Sequence, residues 1–290
     1  MSARVRCQRG TWRAAVVLTV VCAMAACRDA AESTSDTSGA AVSTPASAVG
    51  GRVRAMSSAD SAVLLLSTDA SNYRSVADSA SLRGGTIVGH VEISKTIAGD
   101  SAIVPDVDID VCKPFTETRT PSQGRGVGNA IVWLVGVHSG PVADAPRRAS
   151  LRLDRCRLEP RVQRVALGGT LQVSSHDAMT SRLRFADVGR PEAVRTRVML
   201  TDAGQLVPTA EVAAQPGLIE VRDEQHPWVR AYVAVAAHPF LAITDPLGRY
   251  RFDSVPPGTY TMVTWQEQLG VRVARVLVTR GATTTITTRY

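Results

Sequence analysis

Residues 225 to 233 read QHPWVRAYV, a histidine set before proline and tryptophan at the head of a strand-like run. An imidazole presented this way can ligate a metal, or it can serve as a hydrogen-bonding group in a turn. Asp223 stands just before His226, and His176 with Asp177 lies in a second loop-like stretch, VSSHDAM. Brought together, His176, Asp177, Asp223 and His226 would offer two nitrogens and two oxygens, a set suited to copper(II) or zinc. Each also has the plainer use of a polar loop residue. His238, in AAHPFLAITD, repeats the His-Pro-aromatic order of His226-Pro227-Trp228. In both places proline keeps the preceding residue out of the helical region, and Trp228 and Phe240 offer large surfaces to close strand ends or wedge two domains together.

Other candidates are weaker. His90 alternates within a strand pattern and His138 ends one, so both read as surface residues. Asp106, Asp108 and Asp110 alternate in VPDVDIDVC, which as a strand would put three carboxylates on one face. That face could hold calcium weakly, and more simply it is a charged edge that blocks aggregation. GRGVGN, from Gly124 to Asn129, is glycine-rich but lies between strand patterns, without the helix N-terminus that phosphate binding needs. No nucleophile elbow, P-loop, dinucleotide fingerprint or H-E-x-x-H stretch is present, and the chain is expected not to be an enzyme.

The elements that must position these residues begin after a leader. Arg4, Arg6, Arg9 and Arg13 precede AAVVLTVVCAMAA, an uncharged run shorter than the roughly 20 residues a membrane span takes. Residues 1–26 are therefore expected to be a signal peptide. Without it, Lys plus Arg falls from 33 to 29 against 26 acids, so the basic charge belongs largely to the leader. The remaining cations are almost all arginine and are scattered among strands. No basic run carries interleaved aromatics, and nucleic-acid binding is not expected.

Of five cysteines, Cys7 and Cys22 leave with the leader. Cys112 and Cys156 are expected to pair if the chain is exported, closing a loop that stabilises by roughly 4 kcal/mol on the chain-entropy argument. As free thiols they would be soft copper ligands. Residues 28–50 are small and polar and cannot bury enough surface to offset their ordering entropy, so 27–83 reads as a disordered tether with a short helix near Ala62 to Leu66.

From Gly84 onward the chain is a succession of short Val, Ile and Thr-rich runs divided by Gly, Pro, Asp and Ser. Such spacing without helical patterns predicts an all-β fold of sandwiches. Turn chemistry at Asp245 to Gly248 and at Pro256 to Gly258 marks a second sandwich, and the expected division is 84–236 and 237–290.

Three stretches resemble known families. Met24-Ala25-Ala26-Cys27 resembles the lipobox of bacterial lipoproteins, which implies acylation of Cys27 and cleavage before it; Ala23-Met24-Ala25 is the alternative, an ordinary secretory cleavage site. Arg28 after the cysteine resembles the enterobacterial pattern that permits export to an outer membrane. TDPLGRYRFDSVPPGTYTMVTW is similar to the carboxypeptidase regulatory-like domain, a transthyretin-like sandwich, with Tyr250 at that pattern's aromatic place. That family is generally a non-catalytic accessory module.

GGTIVGHVEI, CKPF, GNAIVWLVGV, LDRCRLEPRVQRVALGGTLQVSSHD and QHPWVRAYVAVAAHPFLAITD resemble exported plastocyanin-like, cupredoxin-type proteins that carry such a regulatory-like domain. In that family two imidazoles, a thiolate and a weak axial thioether hold a type 1 copper, the later ligands in a C-x-x-H-P-W-M stretch. Carried over, only His226 falls at a ligand place: Asp223 stands for the thiolate, Val229 for the thioether and Ser181 for the first histidine. The resemblance therefore implies a degenerate cupredoxin-like sandwich with its copper ligands largely lost and no cofactor. The expected function is a membrane-anchored lipoprotein of the cell envelope, facing the periplasm or on the outer membrane, that binds or scaffolds an envelope protein partner. The alternative is a periplasmic copper-binding protein using His226, with Asp223, His176 and Asp177 as non-standard ligands.

Overall fold

In a computed structural model of the chain, residues 54–55, 73–76, 83–94 and 100–290 are described. The leader, Cys27 and most of the expected tether lie outside them. Two short strands, β1 (Arg54–Ala55) and β2 (Arg74–Ser75), belong to the stretch expected as tether. Then follow β3 (Gly85–Glu92), β4 (Asp100–Ile103), β5 (Phe115–Thr118), β6 (Ile131–Val135) and β7 (Ser139–Gly140). The middle of the chain gives β8 (Arg148–Asp154), β9 (Arg157–Glu159), β10 (Val162–Ala166), β11 (Thr170–Ser175), β12 (Ser181–Asp187), β13 (Arg190–Leu200) and β14 (Leu206–Thr209). The remainder is β15 (Gly217–Asp223), β16 (Arg230–Ala236), β17 (Leu241–Ile243), β18 (Arg249–Val255), β19 (Gly258–Gln266), β20 (Gly270–Val278) and β21 (Thr283–Arg289). The fold is all-β, as the texture of the sequence predicts; one 3-10 turn, Glu211–Ala213, interrupts the strands among the described residues.

Four sheets stack with three apolar layers between them. The sheet β14-β11-β8-β9 packs on β10-β16-β15-β12-β13, and Leu151, Leu153, Leu171, Leu183, Phe185, Val221 and Val233 fill the space between. The other face of β10-β16-β15-β12-β13 meets β1-β20-β19-β6-β17 through Leu218, Tyr232, Ala234, Trp133, Val263 and Trp265. The last layer, with Ile87, Val132, Leu134, Phe252, Met262 and Val276, lies between that sheet and β18-β3-β21. Sequence pattern follows position in the stack. In β6, IVWLV is apolar without alternation because Ile131 and Trp133 enter the middle layer while Val132 and Leu134 enter the last. In β16, Ala231, Val233 and Val235 face the first layer, and Tyr232, Ala234 and Ala236 the middle one.

Pairing crosses the boundary expected at residue 237. β3 lies between β18 and β21, and β6 lies between β19 and β17. The five strands after residue 237 are interrupted in both of their sheets, by β6 in one and by β3 in the other. Gly89 shows how closely they fit: a methyl group there would lie 1.8 Å from Cζ of Tyr250, its cross-strand partner. Gly126, in the stretch GRGVGN, approaches Leu247 so closely that an added Cβ would sit 2.2 Å from its carbonyl carbon. Close backbone approach explains that glycine. The turn residues also work as expected, since Thr244 bonds Val127 O and Ala130 N, and the Asp245 carboxylate accepts the Arg249 N–H.

A polar cluster borders the middle layer. Arg161 donates to Glu267 at 2.6 and 3.0 Å and to Glu117 at 2.5 Å, and it lies over the Tyr232 ring. It joins the turn before β10 to the turn after β19, so the two sandwiches are tied by charge as well as by apolar contact.

Candidate functional site

The turn between β15 and β16 carries QHPW, closed by the bonds from Val229 N to His226 O at 2.9 Å and from Asp223 N to Val229 O at 3.1 Å. Asp223, at the end of β15, points inward and is 1% exposed. Four donors meet its carboxylate. One oxygen accepts the Ser181 hydroxyl and His226 Nδ1 at 2.9 Å; the other accepts the N–H of Gln225 at 2.9 Å and that of Arg182 at 3.3 Å. Burial alone would raise the Asp223 pKa, but the hydrogen bonds from His226, Ser181 and Gln225 outweigh it and hold the carboxyl below its usual range.

His226 is also 1% exposed, and its second nitrogen is used too: Nε2 lies 2.8 Å from Asp108 Oδ2. Both ring nitrogens face carboxylates, an arrangement that favours the protonated ring. The bond to Asp223 raises the His226 pKa, burial opposes it, and the bond to Asp108 adds to the rise. Trp228 meets the imidazole edge-on with ring centroids 5.5 Å apart and packs on the first apolar layer, whereas Phe240 belongs to the last layer. The two aromatics thus anchor different cores.

Asp108 was not a candidate partner from the sequence, which predicts a strand through VPDVDIDVC. The segment turns after Ile103 instead. Asp108 takes a positive φ of 47°, a conformation Asp tolerates better than most residues, and its carbonyl accepts the N–H groups of Val111 and Cys112. Asp106 and Asp110 stay exposed on that loop. The preference of Asp for such backbone was the available signal.

Cys112 and Cys156 are joined, their Cα atoms 5.5 Å apart. The bridge ties the Asp108 loop to the hairpin of β8 and β9, whose two turn residues, Arg155 and Cys156, both have positive φ. Asp177 supports that turn by accepting the Arg155 N–H at 2.8 Å and the Cys156 N–H at 2.7 Å. Met179 packs 3.5 and 3.7 Å from the two sulfurs. His176 beside it is exposed. Of the four candidate ligands, then, Asp223 and His226 come together, while the Asp177 carboxylate is occupied by a backbone turn. Among the described residues no group of three or more His, Cys, Asp or Glu is placed to hold a metal ion. His90 lies 3.4 Å from Glu92 on a strand face, and His138 is exposed.

A type 1 copper does not fit these residues. Both thiols are bonded to each other, the Val229 side chain is apolar and buried, the Ser181 hydroxyl is spent on Asp223, and both nitrogens of the His226 ring are engaged by carboxylates.

Residues 205–286 match the family described as polysaccharide lyase family 4, domain II, a span running from β14 into β21. No curated protein matches the chain. Among solved structures it is similar to amicyanin from Paracoccus versutus (Thiobacillus versutus), at 19% identity over 33% of this chain and 90% of that one, with a TM-score of 0.27. A reduced Cu(I) amicyanin variant gives 21% identity over 33% and 86%, with a TM-score of 0.27. A purple cupredoxin from Nitrosopumilus maritimus gives 16% identity over 30% and 99%, with a TM-score of 0.26.

Proposed function

We propose that the protein is an exported, lipid-anchored module of the cell envelope that binds or scaffolds without catalysis, on a degenerate cupredoxin-like sandwich beside a transthyretin-like one. One observation carries the reading: His226, at the place the copper-protein resemblance reserves for a ligand, is hydrogen-bonded at both ring nitrogens to carboxylates. The former ligand place has become an ionic fastening between a loop and a sheet. A disulfide between Cys112 and Cys156 supports an oxidising compartment, and the lipobox-like stretch ending at Cys27 supports the anchor.

Metal analysis tests this directly. The purified chain, incubated with copper(II) or zinc and then dialysed, should retain far less than one equivalent, equally in the wild type and in His226→Ala. Stoichiometric metal that disappears with His226→Ala would establish the copper-binding alternative, as would an intense visible thiolate-to-copper band.

A further inference from the structure

The loop between β4 and β5 is fastened to the body at two points. Among the described residues, the one nitrogen-to-oxygen hydrogen bond between residues 104–113 and the rest of the chain joins His226 Nε2 to Asp108 Oδ2 at 2.8 Å. The second point is covalent, the bridge from Cys112 to Cys156. Residues 106–110 are exposed, Val107 and Ile109 included, so no apolar face presses that part of the loop onto the body.

Both points belong to one turn. The Asp108 carbonyl accepts the Val111 N–H at 2.9 Å and the Cys112 N–H at 2.7 Å, and Lys113 Nζ donates to Ile109 O at 2.9 Å. The Asp108 carboxylate and the Cys112 sulfur therefore move together. Both bridged cysteines are covered, Cys112 being 1% and Cys156 0% exposed, and Met179 packs against both sulfurs. Thiolate attack on a disulfide depends on access to one of its sulfurs. Because Cys112 is part of the turn, that access comes when the turn lifts.

The groups facing the His226 ring come from three elements. Asp223 ends β15, and its carboxylate also takes the Ser181 hydroxyl from β12; Asp108 reaches in from the loop, and Trp228 meets the ring from its own turn. Among the described residues no other carboxylate lies within 4.0 Å of the ring.

We infer that Asp108 and His226 form a proton-controlled latch over the disulfide. With the ring protonated the turn is held down and the bridge resists a dithiol reductant; with the ring neutral the turn lifts and the bridge is open to exchange. In that exchange a thiolate of the dithiol attacks one Sγ and the other leaves as a thiolate and takes up a proton. The second thiol then displaces the mixed disulfide, so two electrons pass to the cysteines and the reductant becomes a cyclic disulfide. The bond to Asp223 raises the His226 pKa against burial, and Asp108 adds to the rise, so the latch is closed below that folded value and opens as pH rises through it. Linkage is reciprocal: if protonation protects the bridge, the bridge favours protonation. The latch needs neither a lipid anchor nor a partner.

The test follows native-state reduction of the full-length chain by dithiothreitol, with a metal chelator present, through alkylation and peptide mass at Cys112 and Cys156. Rates are divided by the dithiothreitol thiolate fraction at each pH. The wild-type value should rise as pH passes through the folded His226 pKa. At about pH 6, Asp108→Asn should be faster by about 3- to 5-fold, the most that a carboxylate 44% exposed contributes, and it should stay flat with pH. His226→Gln should match it. Ile87→Val, which trims the last apolar layer instead, should lower Tm and leave the rate unchanged. In an NMR titration the His226 ring should lose its proton at lower pH in the dithiothreitol-reduced chain than in the oxidised one.

Equal reduction rates for wild type and Asp108→Asn, or one His226 titration in both redox states, would overturn the latch. So would acceleration by Ile87→Val to match Asp108→Asn, because the bridge would then be reduced through global unfolding. Anchoring at Cys27 and metal retention are read by separate measurements, and neither result changes with these.

Discussion

His226-Pro227-Trp228 and His238-Pro239-Phe240 share an imidazole, a rigid ring and an aromatic in the same order, each beside a strand of the same polypeptide stretch. At the first, both nitrogens face carboxylates, which favours the cationic ring. At the second, Nδ1 accepts the Phe240 N–H at 3.1 Å, and the ring stacks obliquely against Tyr73 and Phe240 at centroid distances of 5.7 and 5.8 Å. A short motif therefore sets the order of residues at the turn but not the partners of its histidine. The surroundings differ: Asp223 and Asp108 face the first ring, Tyr73 and Phe240 the second.

The contrast can be broken most forcefully at Asp223. Asp223→Ala leaves a buried imidazolium with one partner and frees the Ser181 hydroxyl, and it should cost about 3 kcal/mol in denaturant unfolding. A loss within a few tenths of a kcal/mol would mean that His226 is neutral in the fold. The next effect is a pH slope. The His226 pKa is raised, so its contribution is complete below the unfolded value of about 6.5 and is lost as pH rises through the folded one. The Asp223 pKa is lowered, so its contribution is complete above about 3.9 and is lost as pH falls through the folded value. Stability from this pair should be greatest between those limits. His226→Gln should flatten the alkaline side, and a slope that survives the substitution would place its source elsewhere. Smallest is Asp108→Asn: with 44% of the Asp108 side chain exposed, it should cost under about 1 kcal/mol while loosening amide protection in residues 106–112.

Much of this was legible in the sequence. Strand texture announced the β fold, and the residue types at Asp245 and Pro256 announced turns; that IVWLV is buried on both faces came only with the structure. What a linear reading cannot supply is register. Arg184, Arg197, Arg222 and Arg230 look scattered along the chain, and only cross-strand pairing draws them into one row. The same holds for Asp108, read as one of three alternating carboxylates until a turn with positive φ separates it from the others. The division at residue 237 was placed by turn residues, which mark local chain reversal and say nothing about which earlier strand fills the centre of a sheet.

Central positions for β3 and β6 have a consequence for the order of assembly. Thr86 of β3 pairs with Thr283 of β21, so a strand nearly 200 residues later in the sequence completes a sheet begun by β3. During synthesis β3 and β6 must wait for partners that lie beyond residue 240, whereas strands from Arg148 to Ala236 can form both of their sheets among themselves. Closing so long a loop slows folding more than it weakens the product, since each doubling of loop length costs only about 0.6 kcal/mol. The inner sandwich is thus placed to form first and to present its Leu218, Tyr232 and Ala234 face as the surface on which the outer one condenses.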